Sequence, residues 1–301
     1  MPRLGRNEYV RSHALGNDYL VVDPRTLSVR LTPERIRRIC DRHEGVGSDG
    51  ILTLERSRRA DAGLRIFNPD GSEAEKSGNG IRIFAKCLWD HGYLRRRTVA
   101  VETKGGIVGV TLDIRGRAVR SITVEMGRAT FRSREIPVTG TDRDVVDEPV
   151  DAAGERLRVT AVSVGNPHCI VFVDDPAAVD LARLGPALEH HPMFPNRANV
   201  QFVRVDSRRG VTIRIWERGA GETMASGSSS SAVAAACVRH GFVGRDVAVR
   251  SPGGVLRVEV GPEYALRLTG PVEEISRGTL SPDLLARLRV PRSVRAPRGR
   301  A

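Results

Sequence analysis

The chain has 301 residues, with 48 Lys and Arg against 36 Asp and Glu, a formal charge of +12 and aromatics at only 4%. That length serves two domains of ordinary size, each able to bury its own core. Scarce aromatics, with six arginines gathered between Arg287 and Arg300, argue against a base-stacking nucleic-acid surface, and no apolar run reaches the roughly 20 residues that cross a bilayer.

The N-terminus, MPRLGRNEYVRSH, lacks the apolar stretch of a signal peptide, so a cytoplasmic protein without membrane partners is expected. Cys40, Cys87, Cys169 and Cys237 are widely spaced with no CxxC pair, which suggests reduced core thiols and neither disulfides nor zinc. With no Walker loop, no strand-to-helix GxGxxG and no metal-spaced histidine cluster, no cofactor is expected.

In chain order, β-branched runs predict strands at 19–23, 50–55, 64–67, 98–103 and 107–114. Thr32-Pro33-Glu34 reads as the start of a short helix with Ile36, Ile39 and Cys40 on one face and Gly45 as its stop. Helical spacing of Ile81, Phe84, Ala85 and Leu88 predicts a second helix after Ser77, ending near Gly92. Further strands are read at 159–164, 169–175, 199–206, 211–217, 247–251 and 255–260. After Ser226 the run AVAAACV is apolar on every face, so this helix must be surrounded by protein.

The two helices belong to an internal repeat. Ser77 and Ser226 are 226 − 77 = 149 residues apart, and the same offset carries Gly78 onto Gly227, Glu73 onto Glu222, Arg65-Ile66-Phe67 onto Arg214-Ile215-Trp216, and Gly16-Asn17 onto Gly165-Asn166. A repeat of half the chain implies two copies of one domain. The expected fold is α+β: two pseudo-symmetric domains, each a mainly antiparallel sheet wrapped around a central helix, with the active site in the cleft between them. The first is placed at 1–122, with 271–289 offered as its completion, the second at 123–270, and a basic disordered tail at 290–301. Ser77-Gly78-Asn79-Gly80 and Ser226-Gly227-Ser228-Ser229 each offer free backbone amides at a helix start, where an anion such as a substrate carboxylate is favoured.

The strings HALGNDYLVVD, DRHEGVGSDGIL, RIFNPDGSEAEKSGNGIR, VSVGNPHCIV, FPNRANVQFV and WERGAGETMASGSSS occur in order between Tyr9 and Val272. In these the chain resembles the diaminopimelate epimerase family. The resemblance implies cofactor-free inversion at an amino-acid α-carbon, LL- to meso-diaminopimelate in lysine biosynthesis, by two cysteines that act as a thiolate and a thiol. It also implies a small amino-acid substrate and, as a partner, a second copy of the chain in a homodimer. By motif match the cysteine positions are Ser77, where the family has CGNG and this chain SGNG, and Ser226, where the family has ACGSG or ACGTG and this chain ASGSS.

Both thiols are therefore absent. A cysteine titrates near 8.5 and lower at a helix start, whereas a serine hydroxyl does not ionise there without an adjacent base. Three readings of the pair stand open: helix caps, direct catalysts, or an engineered replacement. The resemblance places Asn17, Asn68, Asn166, Asn199 and Arg218 at the non-reacting end of the substrate, and Glu217 and His168 beside the catalytic pair. An isolated asparagine in a Gly-Asn turn is ordinarily a backbone-turn residue, and the set occurring together points instead to a ligand. Among the acids Asp70, Glu73, Glu217 and Glu222, the repeat partners Glu73 and Glu222 suit a shared structural task. Glu217 has no acidic counterpart, since the offset gives Asn68, and is the single-base candidate. An epimerase is the first reading; a proton-shifting isomerase or lyase using Glu217 or His168, and a catalytically silent amino-acid-binding paralogue, are its rivals.

Overall fold

Strands dominate because short β-branched runs alternate with turns throughout the chain. In a computed structural model, which describes residues 1–290, the strands form one 18-stranded sheet. The first half comprises β1 (Glu8–Ala14), β2 (Asn17–Val22), α1 (Pro33–Cys40), β3 (Ile51–Glu55), β4 (Ala62–Phe67), β5 (Glu73–Ala74), α2 (Gly78–Asp90), β6 (Thr98–Thr103), β7 (Gly106–Arg115) and β8 (Ala118–Arg128). The second comprises β9 (Glu148–Ala152), β10 (Glu155–Ser163), β11 (Pro167–Phe172), α3 (Leu181–Glu189), β12 (Asn199–Ser207), β13 (Gly210–Glu217), β14 (Gly221–Thr223), α4 (Gly227–Arg239), β15 (Asp246–Ser251), β16 (Gly254–Val260) and β17 (Ala265–Gly270). β18 (Glu273–Thr279) and α5 (Pro282–Arg289) follow.

Hydrogen bonding runs β18-β1-β2-β3-β4-β6-β7-β8 and then, across an antiparallel seam, β17-β16-β15-β13-β12-β11-β10-β9. β5 and β14 add hairpin edges to β4 and β13. Only β2–β3, β4–β6, β11–β12 and β13–β15 are parallel. Each half curls around its own helix: α2 packs on β1, β2, β4, β7 and β8, and α4 on β10, β11, β12, β15, β16 and β17. The fold is thus α+β, two similar sheets wrapped around one helix each.

Counted as the strand that follows each half's seam strand, β9 and β18 each lie on the half opposite the seam strand they follow. After β8 the chain crosses to lay β9 beside β10; after β17 it crosses back to lay β18 beside β1. The expected boundary at 122/123 falls inside β8, which pairs with β7 as far as Val124 and with β17 as far as Arg128, so the chain leaves the first sheet only after Arg128. α5 closes over α1, with Leu284, Leu285 and Leu288 against Ile36, Ile39 and Cys40, while Arg35 Nε donates to the Leu288 carbonyl at 2.7 Å.

The helix starts follow their sequence signals. Thr32 caps α1, with Pro33 at the first position. Gly45 is not its stop: α1 ends at Cys40 because Asp41 leaves the helix and its carboxylate accepts from the amides of His43 and Glu44, at 2.8 and 2.6 Å. α2 and α4 have 13 residues each, and Gly92 and Gly241, at φ +66° and +71°, sit just past their ends, where a left-handed residue closes a helix. α3 runs through Gly185-Pro186, a pair that ordinarily breaks a helix. A Cβ at Gly185 would lie 2.5 Å from the Trp216 ring, so the glycine lets α3 pack on β13. Among the described residues no helix is long and apolar enough to cross a membrane. The tail expected at 290–301 lies outside the described residues from 291 onward.

At the seam Thr123 and Thr269 are paired strand neighbours whose hydroxyls share a 2.7 Å hydrogen bond. Thr123→Val strands its partner and should lower stability by about 1 kcal/mol, whereas Thr123→Val with Thr269→Val should recover most of that loss. Urea unfolding of the two single variants and the double variant, analysed as a cycle, measures the coupling.

Candidate active site at the paired helix starts

Matching hairpins deliver the chain to each helix. Arg65 forks onto Glu73 with Nε and Nη2 at 3.0 and 2.9 Å, and Arg214 onto Glu222 with the same nitrogens at 3.1 and 2.9 Å. These ion pairs tie β5 to β4 and β14 to β13, just before the helices begin. Both acids are thereby structural. Asp70 is spent on its own turn, accepting from the amide and hydroxyl of Ser72.

Ser77 and Ser226 are the N-caps of α2 and α4, in extended conformations (φ −143° and −139°). Ser77 Oγ accepts from the Gly80 amide at 3.0 Å and Ser226 Oγ from the Ser229 amide at 3.4 Å; Ser228 Oγ lies 3.4 Å from Ser226 Oγ. The two starts touch. A Cβ at Gly227 would sit 3.5 Å from Gly78 Cα and 2.9 Å from Leu268 Cδ2, and one at Gly78 would sit 3.3 Å from the same leucine and from Met126 Sδ. Glycine at both positions allows this approach without displacing Leu268 or Met126, and the two positive helix ends are aimed at one place.

Carboxylate and amide groups line the contact. Glu217, the last residue of β13, lies near Ser226 and accepts a hydrogen bond from Thr223 Oγ1 at 3.1 Å. It is part-exposed yet densely surrounded by protein, and burial pushes its carboxyl up, with the two hydroxyls opposing. Its position is fixed from α3: the buried Glu189 carboxylate accepts from Trp216 Nε1 at 2.8 Å and from the Gly219 amide at 3.0 Å, bracketing Glu217 and Arg218. On the first half, Asn79 Nδ2 donates to Asn17 Oδ1 at 3.1 Å, Asn17 Nδ2 to Asp49 at 3.1 Å, and Arg82 Nη2 to Asn79 Oδ1 at 2.8 Å. Arg82 is fully buried with no carboxylate partner, and desolvation brings it down to about 10, so it stays charged at neutral pH.

Other expected site residues are less open. Asn199, buried, donates Nδ2 to the Pro167 carbonyl at 2.9 Å and accepts from the Arg218 amide at 3.0 Å, leaving one N–H and one lone pair for a ligand. Arg218 is exposed and donates Nη1 to the Asn196 carbonyl at 3.0 Å. Asn68 bonds Ser72 Oγ inside its own turn. His168 is fully buried: Nε2 lies 3.0 Å from Asn166 Oδ1, and the ring also interacts with Gln201, although neither Nδ1 nor Gln201 Oε1 makes a well-aligned bond. Gln201 Nε2 in turn donates to Ser229 Oγ at 2.9 Å, so His168 reaches the start of α4 only through other side chains. The four thiols are buried. Desolvation pushes Cys40 up to about 11, Cys169 and Cys237 to about 12, and Cys87 higher still, so none supplies a thiolate at neutral pH.

Tyr19 was hidden within a strand motif. Its phenol is buried; burial first, then the charges of Asp49, Glu217 and Asp18, push it up to about 12, with the Ser77 hydroxyl opposing. The repeat offset could have singled it out, since 168 − 19 = 149 makes it the counterpart of His168. Asp49, Arg82 and Gln201 carry no comparable signal.

Burial holds the His168 imidazole neutral, down to about 3. The unfolded chain binds this proton near pH 6.5 and the folded chain only near 3, so the stability is intact above about pH 6.5 and is lost as pH falls toward 3. The slope from this group is about 1.4 kcal/mol per pH unit. Urea midpoints across that window should show His168→Gln to be flatter with pH than the unmodified chain.

The diaminopimelate epimerase profile matches residues 9–132 and 160–274. Diaminopimelate epimerase 2 of Nostoc sp. is 45% identical over 280 residues, 93% of this chain and 97% of that protein. The diaminopimelate epimerase of Desulfitobacterium hafniense is 42% identical, over 93% of this chain and 100% of its own length. Among solved structures, a probable proline racemase from Agrobacterium radiobacter superposes with a TM-score of 0.69 at 18% identity, covering 92% of this chain and 93% of that one. A Bacillus anthracis protein of the PhzF phenazine-biosynthesis family gives 0.67 at 20%, covering 92% and 100%; at such identities these two speak for the fold alone. With the matched profile spanning both halves and relatives above 40% identity along nearly the whole chain, the protein belongs to the diaminopimelate epimerase family.

Proposed function

We propose that the chain inverts the α-carbon of diaminopimelate or a close relative without a cofactor, in the cytoplasm, with the α-carboxylate held by the amides that open α2 and α4. The observation that carries this reading is the contact between the two helix starts, each headed by a serine, which the motif resemblance aligns with the family's cysteines. A carboxylate there would neutralise two positive helix ends and hold its α-carbon between Ser77 and Ser226. Asn17, Asn68, Asn166, Asn199 and Arg218 suit a second amino and carboxyl group at the far end. A homodimer is part of the proposal, by the family resemblance.

A second reading is favoured by Glu217. A densely packed carboxyl beside Ser226, with its pKa raised by burial, resembles a general base more than it resembles a spectator. On that reading a proton-shifting isomerisation or elimination proceeds from one carboxylate.

Incubation in heavy water with a panel of amino acids, followed by NMR of the α-proton, tests the chemistry; diaminopimelate isomers should exchange. Absence of exchange across the panel rejects catalysis of this kind. Calorimetry should show diaminopimelate binding that Arg218→Ala weakens by about 1.5–3 kcal/mol, the scale of a charged hydrogen bond.

Restoring both thiols separates the readings. Ser77→Cys with Ser226→Cys should greatly raise epimerisation, and each alone should do much less, because opposed acid and base act as a unit. If the unmodified chain turns over another substrate through Glu217, the double variant should not improve that activity and Glu217→Gln should abolish it.

A further inference from the structure

Arg82, one turn into α2, is fully buried, and among the described residues it is the largest side chain so enclosed. Its Nη2 donates to Asn79 Oδ1 at 2.8 Å, while Nε and Nη1 have no hydrogen-bond partner among the described residues. The guanidinium lies against the end of the seam strand β17, where a Cβ at Gly270 would sit 3.3 Å from its Cζ and 3.4 Å from Nε. Enclosing such a charge without an anion costs stability. The fold does not demand it, because 82 + 149 = 231 makes Ser231, equally buried, its counterpart in α4.

The charge sets the direction of a chain of amides. A guanidinium can only donate, so Asn79 must face it with oxygen. Asn79 Nδ2 therefore turns to Asn17 Oδ1, at 3.1 Å, and Asn17 Nδ2 to Asp49 Oδ2, also at 3.1 Å. A carboxylate can only accept, so Asp49 enforces the same order from the far end, itself held by Arg42 Nη2 at 2.7 Å and the Asp18 amide at 3.0 Å. Asn79 stands where the two helix starts meet: a Cβ at Gly227 would lie 3.9 Å from its Oδ1. Each amide has a second N–H beyond these bonds, whereas the oxygen of Asn79 is committed to Arg82.

We infer that Arg82 is a specificity-determining positioning residue, which locks Asn79 and Asn17 as donors and leaves its own charge uncompensated beneath the start of α2, so that the paired helix starts select a carboxylate over a neutral carboxamide. This rests on the carboxylate placement proposed above. A carboxylate accepts on both oxygens, whereas a carboxamide must turn one N–H toward helix-start amides and asparagine N–H groups that are themselves donors. Burial keeps the guanidinium charge from being screened, which adds to the preference. With serine at the equivalent place in α4, the carboxylate is drawn toward α2. Arg82 acts through Asn79 and through its field, not by contact with substrate.

The test is calorimetry of the full chain with diaminopimelate and with its diamide. The unmodified chain should prefer the acid, and Arg82→Met should narrow that preference by about tenfold or more, the scale of a lost charged interaction, through weaker binding of the acid. Arg82→Lys, which keeps the charge, should keep more of the preference. An unchanged preference in Arg82→Met, an equal loss for acid and diamide, or a lysine no better than methionine overturns the inference. Asn79→Asp, nearly isosteric, sets a carboxylate on the guanidinium and should narrow the preference in the same direction; an undiminished preference there also overturns it. If the unmodified chain binds neither compound, the functional reading itself fails, and urea unfolding without ligand decides the role of the arginine. Arg82→Met combined with Asn79→Ala should then be no less stable than Asn79→Ala alone, as expected of a charge that serves the site and not the fold; a lower midpoint marks a structural arginine and overturns the inference independently of binding.

Discussion

Like charges repel, and the two central helices meet at their positive ends. An α-helix carries about half a charge at its N-terminus, so bringing two such ends into van der Waals contact is unfavourable unless the surroundings hold them or an anion lies between. Here the surroundings hold them. The β8–β17 ladder runs beneath both starts, Leu268 and Met126 fill the space below Gly78 and Gly227, and the hairpin ion pairs Arg65–Glu73 and Arg214–Glu222 fix the entering chain from either side. The unfavourable juxtaposition is what makes the place receptive to a carboxylate. A side chain at either glycine would press on Leu268, and at Gly78 on Met126 as well.

That constraint was partly written in the chain. The offset between Ser77 and Ser226 identifies two equivalent helices, and the all-round apolar face of the second requires that a sheet enclose it. The sequence did not reveal which half each terminal strand would join, because a strand such as Glu273–Thr279, half-exposed and weakly patterned, carries no mark of its distant partner β1. α3 was hidden by Gly185-Pro186, whose breaking tendency is overridden by packing on Trp216, and the missing stop of α1 came from a side-chain cap at Asp41 that outcompetes the glycine four residues on. Candidate residues with local signatures were legible as to place: Ser77, Gly78 and Asn79 at the start of α2 and Glu217 at the end of β13. Tyr19 and Arg82 were not, because their significance lies in what surrounds them.

At a helix start a hydroxyl asks more of its neighbours than a thiol does. A thiolate stores its own negative charge at neutral pH, whereas a serine must borrow basicity from an adjacent group. The chain's own cysteines do not help, since burial keeps all four protonated. Arg82, charged and fully enclosed one turn into α2, adds a fixed positive potential behind Asn79. Such a charge favours an anion at the helix starts and opposes any proton left there.

The reciprocal exchange of terminal strands also has a consequence for biosynthesis. β1 leaves the ribosome well before β18, its partner, with Tyr9 paired to Gly278 in the finished sheet. Until β17 and β18 emerge, β8 and β1 present open hydrogen-bonding edges at the two ends of the first half, the kind of edge that invites pairing with a neighbouring nascent chain. Closing so distant a pair is also entropically slow. The interval between synthesis of the first half and arrival of its last strand is therefore when this chain depends most on chaperones, and slowing translation late in the message should lengthen that exposure.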